Sequence, residues 1–62
     1  MQNKSEQLVI AEQIREACIK AAREGFMDAS MSGLCMEGAL EAAISAMQSL
    51  NIDQILKVQA DA

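Results

Sequence analysis

Two stretches of helical periodicity fill most of this 62-residue chain, and each carries an apolar face wider than one partner helix can cover. In the first stretch, residues 4–24, apolar side chains recur every three or four positions, which is the spacing of one face of an α-helix. Leu8 and Ile19 lie at the edge of this face with Arg15 between them, so the apolar arc extends past a single helix contact. The face itself holds Ile10, Ile14, Ala17, Cys18 and Ala21.

The ends of the first helix are predicted from its capping residues. Asn3 with Glu6 three positions later matches a capping box, and Ser5 is an alternative N-cap. Gly25 is expected to end the helix as a left-handed C′ residue, with Phe26 folding back onto the last turn. Replacing Gly25 by alanine is then expected to cost about 1 kcal/mol, because a Cβ is unfavourable at positive φ.

The second helix is predicted over residues 32–50, after a short connector. Ser32 is the preferred N-cap, although Asp28 and Ser30 also qualify, and this start places Cys35 in the first turn of the helix. Farther along, apolar residues follow the 4-3-4-3 spacing of a coiled-coil seam. The seam residues are Met36, Leu40, Ala43, Met47 and Leu50.

A short third helix is predicted over residues 52–59, where Asn51 and Gln54 form a second capping-box match. The apolar side chains expected to pack on the other helices are Ile52, Ile55, Leu56 and Val58. Proline is absent, and we find no linker or low-complexity tract. The sequence therefore predicts one all-α domain over residues 1–62, an antiparallel helical hairpin plus a short third helix.

A chain of 62 residues is close to the lower size limit of a stable domain. A domain of this length buries only about 60% of the surface that its unfolded chain exposes. The entropy cost of ordering, roughly 1.5 kcal/mol per residue, is then comparable with the hydrophobic gain. Two cysteines allow at most one internal disulfide, and the sequence contains no histidine for a metal site. We therefore expect another subunit to supply the missing burial.

The wide apolar arcs indicate which kind of subunit this is. A lone two-helix hairpin would leave a large apolar patch in water, which soluble monomers seldom do. Two hairpins that meet about a two-fold axis would close a four-helix bundle, so we predict a homodimer. The predicted self-association face consists of Ile10, Ile14, Ala17, Ala21, Leu40, Ala43, Met47 and Leu50.

Charge and hydropathy exclude several other partners. Nine acidic and five basic residues give a net charge of −4, whereas binding to duplex nucleic acid needs a basic surface. The polar N-terminus lacks the apolar segment of a signal peptide, and no run approaches the ~18 apolar residues of a membrane span. We therefore expect no nucleic-acid partner, no membrane partner and a cytoplasmic location, where both cysteines stay reduced.

Cys35 is the candidate reactive side chain. In the first turn of a helix, backbone N–H groups and the helix dipole favour a thiolate, which is typical of a redox or acyl-accepting cysteine. The alternative, which we favour, is a small buried residue at a packed helix start, since no histidine is available as a base. Cys18 is expected in the core, and a Cys18–Cys35 disulfide would require Cα atoms within about 7 Å of each other.

Acidic pairs and methionines also have two interpretations. Glu12 with Glu16, and Glu37 with Glu41, are spaced by one turn as in metal-binding bundles, but such sites also use inward-facing histidine. We therefore interpret these acids as a solvated face and predict no metal and no cofactor. The methionines of the hairpin either fill gaps in the core, as we favour, or line a pocket for a small apolar ligand.

The block DASMSGLC-x-EGA-x-EAA at residues 28–43 is similar to one in short uncharacterised bacterial proteins, some of which carry the name acetyltransferase. The resemblance covers about a quarter of the chain and transfers no catalytic residue. A chain this short has no room for the acetyl-coenzyme A-binding sheet of known acetyltransferases. We therefore predict a non-catalytic interaction or accessory module, possessing no enzyme activity, with a thiol-dependent function of Cys35 or an apolar-ligand pocket as alternatives.

Overall fold

The computed structural model describes the backbone of residues 4–61 and the side chains of residues 4–57. This part of the chain is all helical and contains no strand, which confirms the predicted all-α class. The helices are α1 (Lys4–Met31), α2 (Met36–Gln48) and α3 (Ile52–Asp61). The molecule is elongated, with principal dimensions of 47 × 18 × 14 Å.

Helix α1 is longer than predicted at its C-terminal end. The predicted helix 4–24 continues through Gly25 and Phe26, and Gly25 does not adopt positive φ. The expectation that Gly25 is a C′ residue was therefore wrong. At the other end, Ser5 lies inside the helix and is not its cap, while the predicted cap Asn3 lies outside the described residues.

Helix α1 ends at Met31, and Gly33, two residues later, has φ of 94°. The N–H of Leu34 donates to the carbonyl of Ala29 at 3.1 Å, and the N–H of Gly33 donates to the carbonyl of Ser30 at 3.1 Å. These two bonds define a Schellman motif, in which a glycine in the left-handed conformation satisfies the last helical carbonyls. The Ser32 hydroxyl also donates to the carbonyl of Asp28, at 2.9 Å.

Helix α2 begins later than predicted, because the end of α1 occupies the residues assigned to its first turn. The predicted range 32–50 contracts to Met36–Gln48, and Cys35, instead of Ser32, is the N-cap. The Cys35 carbonyl accepts the first helical hydrogen bond, from the N–H of Ala39 at 2.8 Å, but the thiol forms no capping hydrogen bond.

Helix α3 begins at Ile52, as predicted, and runs to Asp61, two residues past the predicted end. The Asn51 side-chain Oδ1 accepts a hydrogen bond from the N–H of Gln54 at 2.9 Å, which confirms the predicted N-cap. Ile55 is half-buried, whereas Ile52 and Leu56 are exposed. The side chain of Val58, also predicted to pack here, lies outside the described residues.

Helix α2 folds back along the C-terminal part of α1, and the two helices approach closely at Gly25. A Cβ placed on Gly25 would lie 3.0 Å from the carbonyl oxygen of Ala42, 3.0 Å from Cβ of Ala46 and 3.3 Å from Cα of Ala43. The glycine is therefore needed because α2 lies against the α1 backbone. Close packing, instead of a left-handed conformation, explains this residue.

Small side chains form the core of the hairpin. The buried residues are Ala29, Ala39 and Ala43, and Ala39 is completely inaccessible to solvent. Within residues 4–57, no large side chain is fully buried. Since each alanine contributes little apolar area, this core provides much less hydrophobic stabilisation than buried leucine or phenylalanine would.

The apolar surface of the helices is not arranged as a membrane span. Within the described part of the chain, no helix combines the length and the apolar character needed to cross a bilayer.

Candidate self-association surface

One side of the hairpin carries an apolar groove between α1 and α2. The groove has a volume of about 520 Å³ and is open to solvent along its length. Arg15 and Arg23 place aliphatic stems and guanidinium groups at its edge. The apolar lining consists of Cys18, Ile19, Ala22, Phe26, Met27, Ala43 and Met47.

Exposed apolar side chains extend this groove along both helices. On α2, Leu40 lies two turns before the groove residue Met47, and Met36 and Ile44 lie one turn to either side of Leu40. Met36 is 79% exposed and Leu40 is 54% exposed. On α1, Leu8 lies three turns before Ile19 and is 59% exposed. We call this surface the open face: Leu8, Ile19, Phe26, Met36, Leu40, Ile44 and Met47.

The total solvent-accessible area shows that the chain exposes more surface than a folded monomer of its size. The chain exposes 5006 Å². A compact monomer of 6.7 kDa is expected to expose about 3,900 Å². The excess, about 1,100 Å², is larger than the ~800 Å² that each partner buries in a standard protein–protein interface.

The residues predicted as the self-association face lie in several environments. Ile10, Ile14, Ala17 and Ala21 are half-buried along α1. Of the four on α2 and just after it, Leu40 is exposed and belongs to the open face, while Met47 and Leu50 are half-buried. Ala43 is buried inside the hairpin beside Gly25. The structure brings Ala43 and Met47 together in the groove, and it places Leu50 with Ala17 at another site.

Five residues of the open face were not in the predicted self-association face: Leu8, Ile19, Phe26, Met36 and Ile44. For Ile19 and Phe26 the sequence contained a signal. Ile19 was assigned to the edge of the first helix, and Phe26 was assigned to its end. Ile19 and Phe26 are two turns apart, so they share one stripe if the helix continues through Gly25. The incorrect helix end concealed this stripe.

The second groove lies between α1 and α3 and is more polar. It has a volume of about 530 Å³ and contains Glu16 and Lys20 together with Gln13 and Gln54. Ala17, Leu50 and Ile55 contribute its apolar contacts. Both grooves are open, so neither provides the enclosed cavity that would favour the apolar-ligand alternative.

Both cysteines are free thiols, so the hairpin contains no Cys18–Cys35 disulfide. Cys18 is half-buried and lines the apolar groove. Cys35 is exposed, contrary to the expectation of a packed residue at a helix start. Cys35 is the N-cap residue of α2, but its thiol accepts no hydrogen bond from the first N–H groups of that helix.

Charged groups of α1 lie on its exposed side. Arg15 Nη2 is 3.9 Å from Glu12 Oε2, and both side chains are more than half exposed. An exposed pair at this distance contributes at most a few tenths of a kcal/mol. Among residues 4–57, no group of three or more potential metal-binding side chains converges on one point.

Comparisons with known proteins do not assign this surface to a family. No family model matches the chain, and neither the curated proteins nor the solved structures include one with significant similarity to it.

Proposed function

We propose that the chain is a small non-catalytic interaction or accessory module that self-associates through its open face. Two copies would close a four-helix bundle in which the exposed apolar side chains of one hairpin pack on those of the other. The observation that carries the proposal is the excess exposed area of about 1,100 Å² per chain, together with large apolar side chains that stay exposed, among them Met36, Leu40 and Ile44.

The weak core of the hairpin supports the same proposal. Three buried alanines do not offset the entropy of ordering a chain of this length. Pairing of two copies would bury the large side chains that the hairpin leaves exposed, among them Leu40 and Ile44. Folding and association are then coupled, as in obligate dimers.

The proposed location is the reducing cytoplasm. Both cysteines are free thiols, and Cys35 is exposed. An exposed thiol is compatible with a compartment in which glutathione and thioredoxin keep cysteines reduced.

The experiment compares Leu40→Glu with Ser45→Glu. Leu40 belongs to the open face, whereas Ser45 is exposed on a different side of α2. Multi-angle light scattering should give the native chain a mass of about twice 6.7 kDa at micromolar concentration. Leu40→Glu places one carboxylate from each copy in the interface and should weaken the dimer at least about 100-fold.

Ser45→Glu is the matched control, because it adds the same charge to the same helix and should leave the mass unchanged. A native chain that remains folded with the mass of one copy at micromolar concentration would contradict the proposal. Equal dissociation by both variants would remove the open face as the site and leave net charge as the cause.

A second candidate function is a thiol-dependent one centred on Cys35, and the exposure of that thiol favours it. A redox or acyl-accepting cysteine has an elevated thiolate fraction, and its alkylation is correspondingly fast. Alkylation of Cys35 by iodoacetamide should then be at least about tenfold faster than that of an unstructured peptide cysteine at pH 7. The Cys35→Ser variant is the control, because it leaves only Cys18. A rate equal to that of the peptide would eliminate this candidate.

A further inference from the structure

We infer that the second copy places the N-terminal half of its α1 in the apolar groove between α1 and α2, and accepts the same segment in return. This inference rests on the proposed self-association and specifies its geometry. The two α1 helices would run antiparallel, and the two-fold axis would pass close to Ala17.

The lengths of the helices fit this arrangement. Helix α1 has 28 residues and α2 has 13, so α2 covers only part of α1. The groove contacts of α2 involve α1 from Cys18 onward, except for Arg15 at the edge. Residues 4–17 of α1 therefore extend about 21 Å beyond α2, and α2 itself is about 20 Å long. The part of α1 that α2 does not cover therefore matches the groove in length.

The apolar pattern of α1 suits antiparallel pairing with the α1 helix of a second copy. One stripe with three- and four-residue spacing passes along the groove side of the helix. A two-fold interface brings each position opposite the one equally distant from the axis. Leu8 and Phe26 are equally distant from Ala17, as are Arg15 and Ile19. The stripe is apolar except for Arg15, and consists of Leu8, Ala11, Arg15, Ile19, Ala22 and Phe26.

This pairing combines side chains that the hairpin leaves without deep burial. Leu8 is 59% exposed, and Phe26 is only half-buried in the groove wall. Contact between Leu8 of one copy and Phe26 of the other would bury both ends of the stripe. Alanines between the ends allow the two helices to approach closely.

Charges at the edge of the stripe are complementary in the same register. Glu12 and Arg23 lie at nearly equal distances on either side of Ala17, and both are exposed. An antiparallel pair therefore brings Arg23 of each copy beside Glu12 of the other, twice per dimer. Within its own chain, Glu12 has only a 3.9 Å contact with Arg15.

Helix α3 covers another side of α1 and completes the bundle. Ile55 and Leu50 lie against Ala17 on another side of α1, away from the groove. A second copy in the groove therefore does not displace α3. Each end of the dimer then contains both α1 helices, one α2 and the other copy's α3, which gives four helices in cross-section.

Distances between spin labels test the geometry. In a Cys18→Ala, Cys35→Ser background, one nitroxide is attached at Glu16→Cys, near the axis, and separately at Ser30→Cys, near the end of α1; both positions are exposed. The antiparallel arrangement predicts a distance of about 40 Å between labels at residue 30 and less than about 25 Å at residue 16.

Other arrangements give other distances. A dimer whose axis lies parallel to the helices would show similar distances at both positions. A dimer that meets at the connector between α1 and α2 would make the distance at residue 30 the shorter one. Either result would overturn this inference while leaving self-association intact. The absence of any interchain distance, together with the mass of one copy, would overturn both.

Charge-swap variants test the register of the antiparallel pair, and they are made in the chain that keeps both native cysteines. Glu12→Arg and Arg23→Glu should each weaken the dimer about tenfold, because two attractive pairs become repulsive. The double variant restores opposite charges and should recover most of the native dissociation constant. Additive weakening in the double variant would exclude the proposed pairing.

Discussion

The two halves of α1 differ in how they are packed. The C-terminal half contacts α2 so closely that a Cβ on Gly25 would lie only 3.0 Å from the Ala42 carbonyl oxygen, and Ala29 is buried. The N-terminal half contacts α3 through a polar groove and leaves Leu8 and Val9 exposed. One helix therefore contains a segment in close contact with α2 and a segment that α2 does not cover.

In this helix, close packing and burial of apolar area are separate properties. The C-terminal half is tightly packed, but its buried side chains are alanines, which contribute little hydrophobic free energy. The larger apolar side chains of both halves lie outside this contact. The C-terminal half of α1, which we call the tight half, fixes the geometry of the hairpin, and under our proposal a second copy would supply most of the hydrophobic stabilisation.

The largest predicted effect is on the tight half. Gly25→Leu would force a branched side chain into the space occupied by the Ala42 carbonyl and the Ala46 side chain. Backbone atoms cannot move aside as a side-chain end can, so we expect a loss of at least about 3 kcal/mol in the free energy of unfolding. Urea denaturation followed by circular dichroism at 222 nm measures this change.

Gly38 provides a matched control for Gly25, because both glycines lie within helices. A Cβ on Gly38 would meet the side chain of Leu34, with Cδ2 at 3.1 Å, Cβ at 3.4 Å and Cγ at 3.5 Å, and the nearest of these atoms can rotate away. Gly38→Ala should therefore gain up to about 1 kcal/mol from helix propensity, whereas Gly25→Ala should lose stability. Stabilisation by alanine at both positions would show that the helices do not approach closely at Gly25.

The second prediction concerns the end of the tight half. Gly33 has φ of 94°, where a Cβ is strained although no atom lies within 4 Å of it. Gly33→Ala should therefore cost about 1–2 kcal/mol through backbone conformation alone. Gly33→Asn should cost less, because asparagine tolerates the left-handed region. Equal urea midpoints for the native and Gly33→Ala proteins would contradict the Schellman ending of α1.

These two glycines also show how far the sequence determines the fold. Gly25-Phe26 and Gly33-Leu34 are both a glycine followed by a large apolar residue, and each matches a helix end. Only the approach of α2 to Gly25 decides between them, and that approach is a tertiary contact absent from any local pattern. Helical class was predictable from periodicity, and the Asn51 cap from local chemistry.

The candidate site was less predictable than the fold, for a related reason. Periodicity identified the face with Ile10, Ile14 and Ala17, and these residues are half-buried. It could not say which part of a wide apolar arc is used within the chain and which part stays open. Ala43 was assigned to the self-association face, but the alanine lies beside Gly25 in the hairpin.

The smallest predicted effect is on the contact of α3 with the N-terminal half of α1. Asn51→Ala removes the acceptor for the N–H of Gln54, a loss that costs about 1 kcal/mol locally at a typical N-cap. Because the groove between α3 and α1 has few apolar lining residues, namely Ala17, Leu50 and Ile55, we expect α3 to open independently of the hairpin. The hydrogen exchange of the Gln54 amide should accelerate about fivefold, while the urea midpoint of the hairpin changes little.

Asn51→Asp, which keeps an acceptor oxygen, is the control and should exchange like the native protein. A urea midpoint that falls in proportion to the amide effect would instead show that α3 and both halves of α1 unfold as one unit.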